Sequence, residues 1–94
     1  MTLTVKFLGS FKHICGRNRV IIDVKKSITI KELILKIVDT FPSLKNALID
    51  PELEDPRPNT LIIINGKEIS VLEGLNTLLK DGDEVVFVPV LHGG

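Results

Sequence analysis

The chain ends in V-P-V-L-H-G-G, and the group in this segment that can react is the terminal carboxylate. Gly94 has no Cβ to hinder attack on its carbonyl carbon, and Gly93 lets the backbone pass through a narrow channel. A carboxylate becomes an acylating group once its oxygen is made a leaving group, for example by adenylation. The pattern therefore predicts that Gly94 is modified inside the active site of a partner protein. The alternative is a frayed end that has no role.

Two residues connect the glycines to the preceding strand-like segment. From Val90, an extended tail reaches about 13 Å at ~3.3 Å per residue, which places the last carbonyl well outside the domain. We expect Leu91, His92 and Gly93 to thread this tail into the partner. His92 either contacts the partner or keeps the tail soluble. Residues 1–90 are predicted to form one folded domain and residues 91–94 a flexible tail.

The remaining reactive side chains do not form a catalytic pattern. His13 and Cys15 lie two residues apart, but a Cys–His pair needs a third group to orient it, and no local motif supplies one. A single cysteine excludes an internal disulfide and a multi-cysteine zinc site. The phosphate-binding patterns G-x-x-x-x-G-K and G-x-G-x-x-G are absent. The sequence predicts a protein that is not an enzyme and binds no metal or cofactor itself.

Composition limits the possible classes of protein. The chain has 94 residues, 44% of them hydrophobic, and its 12 basic and 12 acidic side chains give a net charge of +0. These values predict one folded domain and argue against disorder and against nucleic-acid binding by general basicity. The longest apolar run, Val85 to Leu91, is too short to span a bilayer, and no signal segment follows Met1. We expect a cytoplasmic protein with no direct nucleic-acid or membrane partner.

The first two predicted strands alternate in polarity over residues 2–9 and 18–24. The link between them is predicted to be a loose hairpin loop with its bend at Gly16, which makes the strands antiparallel neighbours. After Ser27 the period changes to that of a helix. Thr29 and Glu32 form a predicted capping box, and Pro42 ends the helix. Its apolar stripe consists of Ile30, Leu33, Ile34, Ile37, Val38 and Phe41.

The second half of the chain begins with a segment that is rich in proline and in acidic residues. A short helical turn is predicted over Ser43 to Ile49, followed by an exposed loop that is acidic. That loop is either a solvated connection or an acidic docking surface. Asn65-Gly66 predicts a hairpin with a type I′ turn. A further short helical turn is predicted at Leu75, Leu78 and Leu79.

The last strand, Glu84 to Val90, is apolar on both faces, which is typical of a central strand. Pro89 cannot donate a ladder hydrogen bond, so pairing should end near it. The order of elements predicts an α+β fold of the β-grasp, ubiquitin-like type. In this fold a mixed sheet of four to five strands packs on one main helix.

The sheet is expected to have one covered face and one open face. Phe41 and Phe87 are predicted to be core residues on opposite sides of the helix–sheet contact. If Phe87 faces the helix, Val86 and Val88 face the other side, where the sequence supplies no second helix. We expect these two valines to form a partner-binding surface. The alternative is that loop 50–59 folds over that face.

The segment D-G-D-E-V-V-F-V-P-V-L-H-G-G at the end of such a fold resembles the ubiquitin-like sulfur carriers and modifiers. These include the MoaD and ThiS proteins, the archaeal small modifier proteins (SAMPs) and the eukaryotic ubiquitin-related modifier, and the resemblance covers essentially the whole chain. The MoaD-like pattern D-G-D-E-V-x-hydrophobic-x-P-P-x-x-G-G has two prolines, whereas here Val90 follows Pro89. The ending L-H-G-G is closer to that of the ubiquitin-related modifier.

The resemblance implies a chemistry for the tail. An ATP-dependent enzyme similar to ubiquitin-activating enzymes would adenylate Gly94, with ATP and magnesium bound by that enzyme. A sulfur donor would then convert Gly94 to a thiocarboxylate for tRNA thiolation or molybdopterin synthesis, or Gly94 would be joined to lysines of target proteins. Two alternatives stay open. One is the MoaD-type small subunit of molybdopterin synthase, with its tail in the large subunit, and the other is a plain ubiquitin-like interaction domain.

Overall fold

The computed structural model describes residues 1–90 and has the predicted α+β architecture. Five strands form one mixed sheet in the order β2-β1-β5-β3-β4. Strands β1 and β5 are parallel, and the other neighbouring pairs are antiparallel. The last strand along the chain is therefore central, as its two apolar faces predict. The strands are β1 (Thr2–Phe7), β2 (Arg19–Asp23), β3 (Thr60–Ile64), β4 (Lys67–Glu68) and β5 (Glu84–Pro89).

The main helix, α2 (Ile30–Thr40), covers one face of the sheet. Its predicted capping box is present, because the Thr29 hydroxyl accepts the Glu32 N–H while the Glu32 carboxylate accepts the Thr29 N–H. The hydrogen bonds that the Glu32 carboxylate accepts from the Thr29 N–H and from the Thr29 hydroxyl lower the pKa of the Glu32 carboxyl. The helix ends before Pro42, as predicted. Its inward stripe is buried against alternate residues of β1, β3 and β5.

Aromatic packing links the helix layer to the sheet. The ring of Phe7 stacks on that of Phe87 with centroids 5.9 Å apart and meets Phe41 edge-on at 6.1 Å. Phe87 is fully buried, as predicted. The prediction that Phe41 is a core residue was too strong, because Phe41 is the C-terminal cap of α2 and is only half-buried against the core.

The link between β1 and β2 is not the predicted loose loop. Residues Gly9–Cys15 form a short helix, α1, which buries Phe11. Gly16 is the C-terminal cap in the left-handed conformation with φ 75°, and its N–H donates to the Lys12 carbonyl. The two strands are nevertheless antiparallel neighbours, as predicted.

A 3₁₀ turn (Pro42–Leu44) and helix α3 (Lys45–Leu48) replace the single helical turn predicted at residues 43–49. This segment is fixed to β3, since the buried Thr60 hydroxyl donates to the Leu48 carbonyl at 2.8 Å. Within residues 1–90 no helix is both long and apolar enough to cross a membrane.

The predicted hairpin at Asn65-Gly66 joins β3 to β4, and both residues have positive φ, 49° and 83°. Two 3₁₀ turns follow, at Ile69–Val71 and Gly74–Asn76. The helical turn predicted at Leu75, Leu78 and Leu79 was thus misplaced, because Leu78 bridges Thr29 in extended conformation and is 58% exposed, while Leu79 is buried.

Candidate functional site

The strand that leads to the tail is hydrogen-bonded on the β1 side up to Phe87 and on the β3 side up to Val90. Within β5, the Phe87 carbonyl accepts the Leu8 N–H at 3.1 Å on one side. On the other side, the Val90 N–H donates to the Asn59 carbonyl at 2.9 Å. The chain therefore leaves the sheet from a fixed point. The predicted tail residues Leu91, His92, Gly93 and Gly94 lie outside the described residues.

Pro89 packs against a glycine at this exit point. Gly9 has φ +53°, and a Cβ added to it would lie 2.9 Å from Pro89 Cγ. A close approach between residues so distant along the chain has no local signal in the sequence. Gly9 thus belongs to the exit point that orients the end of β5, and sequence reasoning missed it.

Val86 and Val88 lie on the face of the sheet opposite α2, as predicted, and both are half-buried. The register of β3 adds Ile63 beside Val86 and Leu61 beside Val88. The sequence of β3 could not show which of its residues face α2 and which face the other side of the sheet, because residues 61–64 are all apolar. These four side chains form a continuous apolar surface, which we call the open-face patch.

The open-face patch is bounded by charge on the side of β1. Lys6 of β1 and Glu84 of β5 form an ion pair of 3.1 Å between the two neighbouring strands. Because both side chains are more than two-fifths exposed, the pair contributes little to stability. Its role in the surface is to mark where the apolar area ends.

Loop 50–59 does not cover the open-face patch, which contradicts the alternative prediction. The loop packs on the helix layer instead, where Pro56, Ile49 and Glu54 line a groove with Lys31 and Leu35 of α2. Within residues 1–90 the patch therefore has no covering element.

The acidic loop is organised by its own hydrogen bonds. The Asp50 carboxylate accepts the N–H groups of Glu52 and Leu53 at 2.9 and 3.0 Å. The guanidinium of Arg57 donates to the Asp55 carboxylate, which lowers the pKa of that carboxyl. These contacts account for two of the acidic residues as parts of a folded connection.

His13 and Cys15 are not assembled into a catalytic pair. Both lie in the last turn of α1, where His13 is exposed and the Cys15 thiol donates to the Arg17 carbonyl at 3.2 Å. In the described part of the chain, no group of three or more His, Cys, Asp or Glu residues is placed to hold a metal ion.

A model of the Urm1 (ubiquitin related modifier) family matches residues 2–94. The chain belongs to the Urm1 family. Urm1-family proteins are small ubiquitin-like modifiers and not themselves enzymes. Membership confirms the resemblance found in the sequence and supports a role as a sulfur carrier and protein modifier. It also implies an activating enzyme, together with target proteins or a synthase subunit, as partners.

Individual relatives match the chain over nearly its full length. Ubiquitin-related modifier 1 from Saccharomyces cerevisiae is 32% identical over 98 residues, with 100% of this chain and 99% of the yeast protein covered. Small archaeal modifier protein 3 from Haloferax volcanii is 27% identical over 94 residues, with 100% of both chains covered. The solution structure of small archaeal modifier protein 1 from Methanosarcina acetivorans has a TM-score of 0.84 and 28% identity, with coverage of 99% and 96%.

One similar structure comes from a complex. It contains subunits 1 and 2 of molybdopterin-converting factor from Helicobacter pylori, with a TM-score of 0.62, 26% identity and full coverage of both chains. The Urm1-family chain described here thus shares the β-grasp fold with modifier proteins and with a subunit of molybdopterin-converting factor.

Proposed function

We propose that Gly94 is the reacting residue of this protein. An ATP-dependent activating enzyme adenylates its carboxylate and supplies the ATP and magnesium sites. Sulfur at the oxidation level of sulfide then attacks the carbonyl carbon of the acyl adenylate, AMP leaves, and the resulting thiocarboxylate serves tRNA thiolation or molybdopterin synthesis. In the second use of the same acyl adenylate, a lysine amine of a target protein attacks the Gly94 carbonyl, AMP and a proton leave, and an isopeptide bond forms.

The observation that carries this proposal is the fixed exit of β5. Hydrogen bonds on both sides of the strand and the Gly9–Pro89 contact hold the chain up to Val90. Only the tail after that residue has to enter the partner. A rigid support followed by a short tail limits the orientations that the partner must select, which lowers the entropic cost of positioning the carboxylate.

In this proposal the activating enzyme binds the domain at the open-face patch. Val86 and Val88 belong to the same strand that leads to the tail, and Leu61 and Ile63 lie beside them. A contiguous apolar surface on a small domain marks a binding site, because exposed apolar area is costly in water. Binding there holds the domain while residues 91–93 of the tail thread toward the nucleotide.

Deletion of Gly93 and Gly94 tests the reacting residue. Incubation with the activating enzyme, ATP and a sulfur donor should raise the intact mass of the full chain by one sulfur replacing one oxygen. The deletion variant should show neither this gain nor ATP–pyrophosphate exchange, and its thermal midpoint should stay within about two degrees of the parent, because glycines contribute no side-chain packing. Adenylation of the deletion variant would contradict the proposal.

Replacement of Val88 by Asp tests whether the activating enzyme binds at the open-face patch. A carboxylate in the open-face patch should raise the KM for adenylation, since it must be desolvated when the enzyme binds. Ile21→Asp is the matched control, because Ile21 is 52% exposed on the same face but two strands away on β2. Equal effects of the two variants, with both folds intact by circular dichroism, would show that the patch is not the binding surface.

A second candidate function is favoured by the Helicobacter pylori complex. In that case the chain is the small subunit of molybdopterin synthase, with its tail inserted into the large subunit. Purification from the source cells distinguishes the two functions. A stoichiometric large subunit that copurifies with the chain supports the synthase, whereas lysine adducts of many proteins support the modifier.

A further inference from the structure

One edge of the sheet has a full row of backbone groups that face outward. Strand β2 is the outermost strand on its side, and within residues 1–90 no other strand pairs with its outer edge. Hydrogen bonds to β1 are made by Val24, which exchanges bonds with Met1, and by Asn18, whose carbonyl accepts the Phe7 N–H. Because such bonds alternate along an antiparallel strand, the N–H and C=O groups of residues 19, 21 and 23 point away from the sheet.

The side chains on this edge are complementary to themselves. Arg19, Ile21 and Asp23 share the open face, since they pair with residues 6, 4 and 2 of β1. When two copies of β2 lie antiparallel with Ile21 on the twofold axis, Arg19 of each copy faces Asp23 of the other. All three outward residues then form hydrogen-bonded pairs, and each pair exchanges both of its N–H···O=C bonds. Opposite charges directly across two strands stabilise the pairing, and like charges oppose it.

Neighbouring charges leave this arrangement possible. The Lys6 ammonium next to Arg19 is paired with Glu84. The Asp23 carboxylate accepts the Thr2 hydroxyl through Oδ1 at 2.9 Å, and its second oxygen can accept a guanidinium. In the described part of the chain, Arg19 takes part in no ion pair.

We infer that β2 is a self-association edge through which two copies of this chain form a continuous sheet. Three residues on each side bury less than the ~1,200 Å² of a stable interface, so the dimer is weak and reversible. The two β5 strands run in opposite directions, and neither open-face patch takes part in the contact, because β5 lies two strands away from β2. The opposite edge does not offer the same surface, because β4 has only two residues, Lys67–Glu68.

Hydrogen exchange of the full chain tests the register of the dimer. At protein concentrations on the order of 1 mM, the amides of residues 19, 21 and 23 should exchange several-fold more slowly than in dilute solution. The amides of residues 20 and 22, which already face β1, should not change. The inference would be overturned if the exchange rates of the amides of residues 19, 21 and 23 were as independent of protein concentration as those of residues 20 and 22.

Charge reversal gives a second, independent test by sedimentation velocity. Asp23→Arg alone and Arg19→Asp alone place like charges opposite each other, so self-association should weaken by about tenfold in each. An equimolar mixture of the two variants should associate again, which also shows that both variants are folded. The double variant Arg19→Asp/Asp23→Arg should self-associate like the parent. Single variants that associate as well as the parent, or a mixture that stays monomeric, would overturn the proposal and leave the edge to an extended segment of another protein.

Discussion

Replacement of Gly9 by alanine should destabilise the fold more than the same replacement at Gly16. Both glycines flank α1 and both have positive φ, +53° and +75°. A left-handed conformation costs alanine about 1–2 kcal/mol at either position. The two positions differ in space, since a Cβ on Gly16 meets nothing within 4 Å, whereas on Gly9 it lies 2.9 Å from Pro89 Cγ and 3.5 Å from Pro89 Cδ.

The contact with Pro89 adds an overpacking term to the Gly9 variant. Overpacking typically costs about 1–3 kcal/mol, so Gly9→Ala should lose about 2–5 kcal/mol in total and Gly16→Ala only the strain of about 1–2 kcal/mol. The proline ring cannot move away easily, because Pro89 pairs with Thr60 of β3 and the next residue, Val90, is hydrogen-bonded to the Asn59 carbonyl.

This difference can be measured by urea unfolding of the parent, Gly9→Ala, Pro89→Ala and the variant that carries both changes. Gly16→Ala is the control. In the Pro89→Ala background, the cost of Gly9→Ala should fall to that of Gly16→Ala, which gives a coupling energy of about 1–3 kcal/mol. Equal losses for Gly9→Ala and Gly16→Ala in the parent chain would refute the reasoning that the Pro89 contact limits this position.

Three further predictions concern the core and the helix cap. Phe87→Ala should cost about 3–5 kcal/mol in urea unfolding, and Phe41→Ala clearly less, because only the first ring is fully buried; equal losses would contradict the burial difference. Thr60→Val should lower the free energy of unfolding by about 1–3 kcal/mol because it leaves the buried Leu48 carbonyl without its donor, whereas Thr60→Ser should retain most of the stability. No loss of stability in Thr60→Val would show that the hydrogen bond is dispensable. Because the pKa of Glu32 is lowered in the folded protein, its ionised carboxylate stabilises the fold above the ordinary glutamate pKa, and this stabilisation is lost as the pH falls through the lowered pKa. Acid unfolding of Glu32→Gln, followed by circular dichroism, should therefore depend less on pH in that range than acid unfolding of the parent.

The sequence predicted those elements whose signals are local and repeated. The stripe of α2 spans three turns and has a capping box and a proline stop, so each signal supports the others. Asn65-Gly66 likewise fixes a hairpin, because few residues tolerate positive φ twice. The central position of β5 followed from its two apolar faces.

The features that were missed depend on contacts between distant residues. Helix α1 has seven residues and buries only Phe11, so its periodicity is too short to detect; the only local signal was Gly16 after Lys12 and His13, which is typical of a helix end. The parity of residues 61–64 is set by pairing with β5, and the Gly9–Pro89 contact joins residues eighty positions apart.

The place of β5 in the sheet also has a consequence for biosynthesis. Without residues 84–89, β1 with β2 and β3 with β4 are two separate hairpins, and such hairpins are marginally stable in water. The domain therefore cannot complete its sheet while the ribosome is still adding these residues, and a chain interrupted before them stays open to proteolysis. Every copy that has folded has therefore already been synthesised up to the strand that leads to its tail.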